Sequence, residues 1–205
     1  MKRFVIILFL CTCMFCAGKV DAKTLKAPKK SRIVKVTDYI PDIQTDIRYA
    51  TKNNFTGKKI YKSKVAYLRY GTILKLKKVQ KQLKKENLSL MIWDAYRPVS
   101  AQYKLWKVCP NPAYVANPNK GYSSHSRGNT VDITIVSLDG KNYKMPTDFD
   151  DFSAKADRDY SDCPKKAKKH AQKLEKMMTK AGFKPYFGEW WHFSDSTNYP
   201  VKKER

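Results

Sequence analysis

The sequence has no internal repeat, no low-complexity insert and no apolar run of the roughly 20 residues a membrane span requires. Histidine is scarce, with three residues in 205, and acidic residues number 18 against 42 basic ones. No zinc finger, RNA-binding signature or regular aromatic stacking pattern is present, so the net charge of +24 is not accompanied by a recognisable nucleic-acid module. Such a charge suits anionic surroundings, such as an envelope surface or wall polymers, and equally a plain solvated face of "KKLK"-type helices. Cysteine is also sparse once the N-terminus is set aside. Cys11, Cys13 and Cys16 fall in the first 22 residues, leaving Cys109 and Cys163, which form no Cys-x-x-Cys pair and give no thiolate zinc site. They read as one disulfide or as two free thiols.

The N-terminus is "MKRFVIILFLCTCMFCAGKVDA". Lys2 and Arg3 precede an apolar run from Phe4 to Ala17, followed by small residues, which is the layout of a secretory signal with a cut before Lys23. A retained anchor or lipid on Cys16 is the rival reading, with Phe15 a poor lipidation context. Export to the periplasm or exterior is therefore expected, and it argues against genome binding. Residues 23–205 suffice for one domain with a real core.

Hydrophobic patterning predicts a mixture of elements. Residues 32–40 ("RIVKVTDYI") read as a strand, and 41–61 as irregular chain with short strands. Ile73, Leu76, Val79 or Gln80, and Leu83 predict an amphipathic helix over 72–86. Residues 88–98 ("LSLMIWDAYRP") read as a buried strand ended by Pro98, and 100–109 as a helix capped by Ser100. Residues 131–145 read as a hairpin turning at Asp139-Gly140, 164–182 as a helix between Pro164 and Gly182, and 183–195 as an aromatic strand. The sum is an α+β domain with a largely antiparallel central sheet flanked by helices.

Two of the three histidines stand near carboxylates. "SSHSRGNTVD" places His125 before a glycine turn and Asp132 at the head of an apolar run, where an ionised carboxylate is costly unless paired or metal-bound. "GEWWH" places Glu189 three residues before His192, with Trp190 and Trp191 between them. An aromatic core strand explains the tryptophans but gives no reason for Glu and His together. His170 lies in the lysine-rich helix and reads as a surface or flank residue. In "WDAYRP", Arg97 stands just beyond a buried strand, where a permanently charged guanidinium can bind an oxyanion; Arg127 in the histidine turn competes for that role.

Taken together, "SSHSRGNTVD", "EWWH" and "WDAYRP" resemble the zinc D-alanyl-D-alanine dipeptidases, and "YATKNNFTGKKIY" and "MPTDFDDF" are similar to stretches of the same family. The resemblance runs from about Asp46 to about Pro200. It implies the hedgehog-like fold of the zinc D-Ala-D-Ala metallopeptidases, one zinc held by His125, Asp132 and His192, and Glu189 as the general base on a zinc-bound water. It further implies Arg97 at the tetrahedral oxyanion, and Ser123 and Asp150 at the free amino end of a small dipeptide. "TDFDD" leaves Asp148 and Asp151 as alternatives to Asp150. Thr130 departs from the family pattern, which has alanine there. A D,D-carboxypeptidase or endopeptidase acting on peptidoglycan stems shares the metal motif; a closed pocket favours the dipeptidase and a long open groove the stem-cleaving enzyme. A non-catalytic, basic wall-binding protein is the third reading, and it has no use for a metal site with an adjacent base.

Overall fold

The computed structural model describes residues 27–202. The expected signal segment, residues 1–22, lies outside them. The chain opens with β1 (Ile33–Lys35), β2 (Gln44–Thr45) and β3 (Tyr67–Arg69), and then enters helix α1 (Tyr70–Lys84). Strand β4 (Leu88–Asp94), helix α2 (Val99–Val108) and strand β5 (Thr130–Ser137) follow. Helix α3 (Lys165–Lys180) leads into the hairpin β6 (Phe183–Tyr186) and β7 (Glu189–Asp195). The main sheet has the order β2-β4-β5-β7-β6, with only the β2–β4 pair parallel, and β1 pairs with β3 in a separate antiparallel ribbon. The architecture is the expected α+β domain with a mostly antiparallel sheet. No helix among the described residues is long and apolar enough to cross a membrane.

The two central strands explain the core. In β4 every residue except Met91 is buried, and in β5 every residue except Ser137. Strands apolar on both faces belong in the middle of a covered sheet. The stripe expected for α1 is the stripe observed, since Ile73, Leu76, Val79, Gln80 and Leu83 are all buried. Gln80 can join it because its amide is satisfied: Nε2 donates to Asp42 O and Ser89 Oγ, and Oε1 accepts from Leu90 N–H at 2.9 Å. In α3, Ala167, Ala171, Leu174 and Met178 form the buried line, and Gly182 ends the helix at φ +93°.

Four expectations change in detail. The strand over 32–40 stops at Lys35, and Val36–Asp38 form a short helical turn. Tyr39 and Ile40 both turn their N–H onto Val36 O, at 3.1 and 3.0 Å, closing a helical turn where a strand would run on, with Val36 and Ile40 both essentially inaccessible. Helix α2 starts at Val99 with Pro98 in the N-cap position, so Ser100 lies within the first turn. The Asp139-Gly140 turn forms, with Ser137 N–H bonding Lys141 O at 3.0 Å, but its second arm makes only an isolated bridge, Val136 to Asn142. That arm is held from α3, where His170 Nδ1–H donates to Lys144 O at 2.8 Å and the ring lies against Tyr143. Finally, the aromatic stretch 183–195 is two strands rather than one, reversing at Phe187-Gly188.

Candidate metal centre

Adjacent strands bring the charged residues together. Asp132 in β5 is the direct cross-strand neighbour of His192 in β7 and of Asp94 in β4. His125 comes from the short helical turn Ser124–Arg127 that leads into β5. Ser123 caps that turn, its Oγ accepting from His125 N–H at 3.3 Å. Gly128 closes it at φ +74°, donating its N–H to His125 O; a Cβ there would come within 2.9 Å of Ile33 Cδ1.

The three ligand atoms converge. His125 Nε2 lies 3.4 Å from Asp132 Oδ2 and 3.4 Å from His192 Nδ1, and His192 Nδ1 lies 3.0 Å from Asp132 Oδ1. The tautomer of His125 is set from behind. Its Nδ1–H donates to Ala95 O at 2.8 Å, a partner that can only accept, so the Nε2 lone pair points at Asp132 and His192. Asp132 Oδ1 is buried yet makes no hydrogen bond among the described residues. A buried carboxylate oxygen without a donor, beside two imidazole nitrogens, is what a bound cation would satisfy. Titration points the same way. Asp132 is held far below the usual carboxylate range, because the two imidazoles outweigh the burial that would raise it. Burial would lower His192, but Asp132 and Glu189 outweigh it and lift the ring to about 9. The corner therefore attracts positive charge, either as protons or as a metal ion.

The triad lines a cavity of about 280 Å³. Its lining includes Glu189, Arg97, Ser123, Asp150, Tyr49 and the loop segment 112–116. Glu189, the first residue of β7, reaches within 3.4 Å of His192 Nδ1. Arg97 is fixed on three sides. Its Nε and Nη2 donate to Asp94 Oδ2 at 3.1 and 2.7 Å, its Nη1 donates to Gln102 Oε1 at 2.9 Å, and its guanidinium stacks 5.1 Å from the Tyr49 ring. Burial alone would favour loss of its proton; Asp94 outweighs that and keeps it cationic. Asp150 adopts φ +61°, accepting from Tyr49 OH at 3.0 Å and from Phe55 N–H at 3.3 Å. Desolvation nevertheless lifts its carboxyl to about 7.

The family model for D-ala-D-ala dipeptidases matches residues 29–203. This chain belongs to that family. It is 34% identical over 173 residues to the D-alanyl-D-alanine dipeptidase of Escherichia coli K12, covering 83% of this chain and 89% of that protein. The D-alanyl-D-alanine dipeptidase of Enterococcus faecalis is 32% identical over 172 residues, covering 74% of this chain and 85% of that protein. That of Enterococcus faecium is 28% identical over 176 residues, with coverages of 76% and 87%. The protein is accordingly a metallopeptidase.

Within this family member, the residues singled out from sequence gather around one cavity: His125, Asp132, His192, Glu189, Arg97, Ser123 and Asp150 all line it. Of the competing residues, Arg127 instead donates to Tyr199 O, Asp148 borders a separate cavity beside Arg48 and Trp93, and Asp151 caps the backbone at Ser153. Trp191 lines the site, whereas Trp190 packs against Trp93 in the core. The departure at Thr130 has a local explanation, because its buried hydroxyl pairs with Ser194 Oγ at 2.9 Å directly across the β5–β7 ladder. Sequence reasoning passed over Asp94, which is wholly buried. Its Oδ1 accepts from Tyr61 OH and Ala95 N–H, and its Oδ2 holds Arg97. A carboxylate closing a buried apolar strand three residues before an arginine was its available signal.

Proposed function

We propose that this protein is a zinc-dependent dipeptidase that hydrolyses D-alanyl-D-alanine to two D-alanines. The observation carrying this reading is the convergence of His125 Nε2, Asp132 and His192 Nδ1, with an unsatisfied Asp132 oxygen, in a small cavity that also holds Glu189 and Asp150. Two imidazoles and one carboxylate are a donor set suited to catalytic zinc, which when bound supplies a polarised carbonyl and an acidified water. The residues of the chain then divide the work. Glu189 takes the proton of the attacking water and returns it to the departing amino group. Arg97, held cationic by Asp94, faces the carbonyl oxygen as negative charge builds there. Ionised Asp150 pairs with the substrate's free ammonium, and Ser123 lies beside it.

The size and charge of the cavity support a dipeptide over a stem peptide. At about 280 Å³ it sits at the small end of ligand pockets, which run from roughly 300 Å³ upward. A stem peptide, acylated at the corresponding nitrogen, would leave the Asp150 carboxylate without a cation and would have to pass Tyr49 and Phe55, the donors that fix it. The deciding experiment offers the zinc-loaded protein D-Ala-D-Ala, L-Ala-L-Ala and a stem pentapeptide, and follows released alanine. Cleavage of the first alone is expected; alanine release from the pentapeptide would replace this reading with a D,D-carboxypeptidase. Its N-terminal segment, with the signal-like layout, further leads us to place the mature enzyme outside the cytoplasm, acting on wall-derived dipeptide beside an anionic envelope. Fractionation that finds the processed protein in the cytoplasm would overturn that placement.

A further inference from the structure

The loop before α3 sends one arginine into the back of the metal-bearing hairpin. Arg158 N–H donates to Phe187 O at 3.0 Å and Arg158 Nε to Tyr186 O at 2.7 Å. Its Nη2 donates to both Trp190 O and His192 O at 3.0 Å, and the guanidinium lies 4.4 Å from the Phe193 ring. On the other side, Nη1 reaches Glu175 Oε2 on α3 at 3.0 Å and Tyr160 OH at 3.3 Å. The Arg158 side chain is almost wholly buried.

The reason lies in the hairpin itself. The even-numbered residues of β7 turn their backbone groups toward β6, as Ser196 N–H does in donating to Gly182 O, while Asp195 N–H donates to Asn129 O on the β5 side. The β6–β7 register slips between Pro185 and Tyr186, so that Tyr186 faces Glu189. The carbonyls of Trp190 and His192 therefore take their hydrogen bonds from a side chain. A planar guanidinium can hold several carbonyls in one fixed fork, which a lysine ammonium cannot.

We propose that Arg158 is a positioning residue for the metal centre: by clamping the backbone on both sides of Trp191 it sets where His192 and Glu189 stand relative to Asp132. This rests on the metal-site reading above. Its test is metal binding by the whole protein, with Arg158→Lys beside the wild type. Affinity for zinc would be measured by chelator competition, and ligand geometry by the visible spectrum of the cobalt-loaded protein. Folding would be checked by circular dichroism without metal. The expected result for a folded Arg158→Lys is metal affinity about 10–100-fold weaker, as for other residues that orient ligands, with shifted cobalt bands and a fall in kcat larger than any change in KM. A folded Arg158→Lys with wild-type affinity and spectrum would overturn the proposal. Should that variant fail to fold, Glu175→Gln frees the outer end of the clamp. A smaller loss of affinity with the same band shift supports the role, and an unchanged spectrum and affinity overturns it. A wild-type protein that takes up no metal would instead refute the metal centre itself.

Discussion

The two halves of the cavity wall are built differently. One half is sheet: Asp132 and His192 face each other across β5 and β7, and Glu189 begins the same strand. The other half is loop and short turn: Tyr49 comes from a 3-10 turn over Arg48–Ala50, and Asp150 and the 112–116 segment reach the cavity from outside the helices and strands. The two carboxylates show what that difference does. Asp132 meets two imidazoles and is driven far down, whereas Asp150 has only a phenol and one backbone N–H, and desolvation lifts it to about 7. Neighbouring cations, not burial, decide which carboxylate keeps its charge. On the reading proposed above, the sheet half holds the metal cation and the loop half meets a cation that arrives with the substrate.

The largest effect that could break this division is on the sheet side. Glu189→Gln keeps the shape of the side chain and removes its basicity, while His125, Asp132 and His192 stay in place. Turnover should fall about 10²–10⁴-fold, the usual contribution of a general base, with bound metal retained. Metal content of the purified variant measured alongside kcat checks both halves of that statement, and near-normal kcat would remove Glu189 from its assigned role.

Next in size is the loop side. Asp150→Asn should raise KM about 10–100-fold, the loss of one charge-assisted contact to the ammonium, with a smaller change in kcat. The pH dependence carries the sharper signature. If Asp150 binds substrate as a carboxylate, as proposed, its loss of a proton only near pH 7 means that wild-type KM should rise as the pH drops below about 7, and this limb should vanish in Asp150→Asn. Stability runs in the opposite direction. A carboxyl whose folded value is raised from 3.8 to about 7 destabilises the fold as the pH climbs through that window. Asp150→Asn should therefore gain in melting temperature relative to wild type between those two values, and a constant difference across them would contradict the raised carboxyl.

The same division governs what the sequence revealed. The sheet half was legible because its residues sit within short motifs whose spacing survives folding: Asp132 follows the His125 turn by seven residues, and Glu189 and His192 share one strand. The α1 stripe and the apolar strands β4 and β5 were legible for the same reason, since local periodicity reports directly on burial. The loop half depends on contacts across long sequence separations, such as Tyr49 with Asp150. Only the family resemblance, not periodicity, singled out Asp150 there. Asp94 and Arg158 escaped notice because their partners come from Tyr61, Glu175 and the β7 carbonyls. The 32–40 strand is cut short by the turn that Tyr39 and Ile40 close onto Val36 O, which the apolar pattern does not encode.

Gly128 lies where the two construction modes meet, closing the His125 turn just before β5. Its φ of +74° and the 2.9 Å approach of an added Cβ to Ile33 Cδ1 make alanine unwelcome for two separate reasons. Gly128→Ala should cost about 1–3 kcal/mol of stability from backbone strain, read as a lower melting temperature. Metal affinity should fall too, because the turn's last hydrogen bond is made to His125 O. A variant as stable as wild type would show that the turn relaxes without strain.

The smallest effect concerns whether the loop side is stapled to the helical side. Cys109 ends α2, just ahead of the 112–116 wall, and Cys163 stands just before α3; both are free thiols, with Cys163 Sγ directed to Tyr160 O at 3.6 Å. Removing a genuine disulfide from a domain of this kind would cost about 2–5 kcal/mol. With free thiols, Cys109→Ser and added reductant should each leave the melting temperature within the shift expected of a surface change, under about 0.5 kcal/mol. Cys163→Ser should do little more, since a serine hydroxyl can still donate to Tyr160 O. The 112–116 wall would then owe its position to non-covalent contacts: Val115 in the core, Tyr114 stacked on Phe152, and Gln102 Nε2 donating to Ala116 O at 2.7 Å. A clear reductant-dependent drop in melting temperature would mean instead that the two thiols pair and tie the loop wall to the helical side.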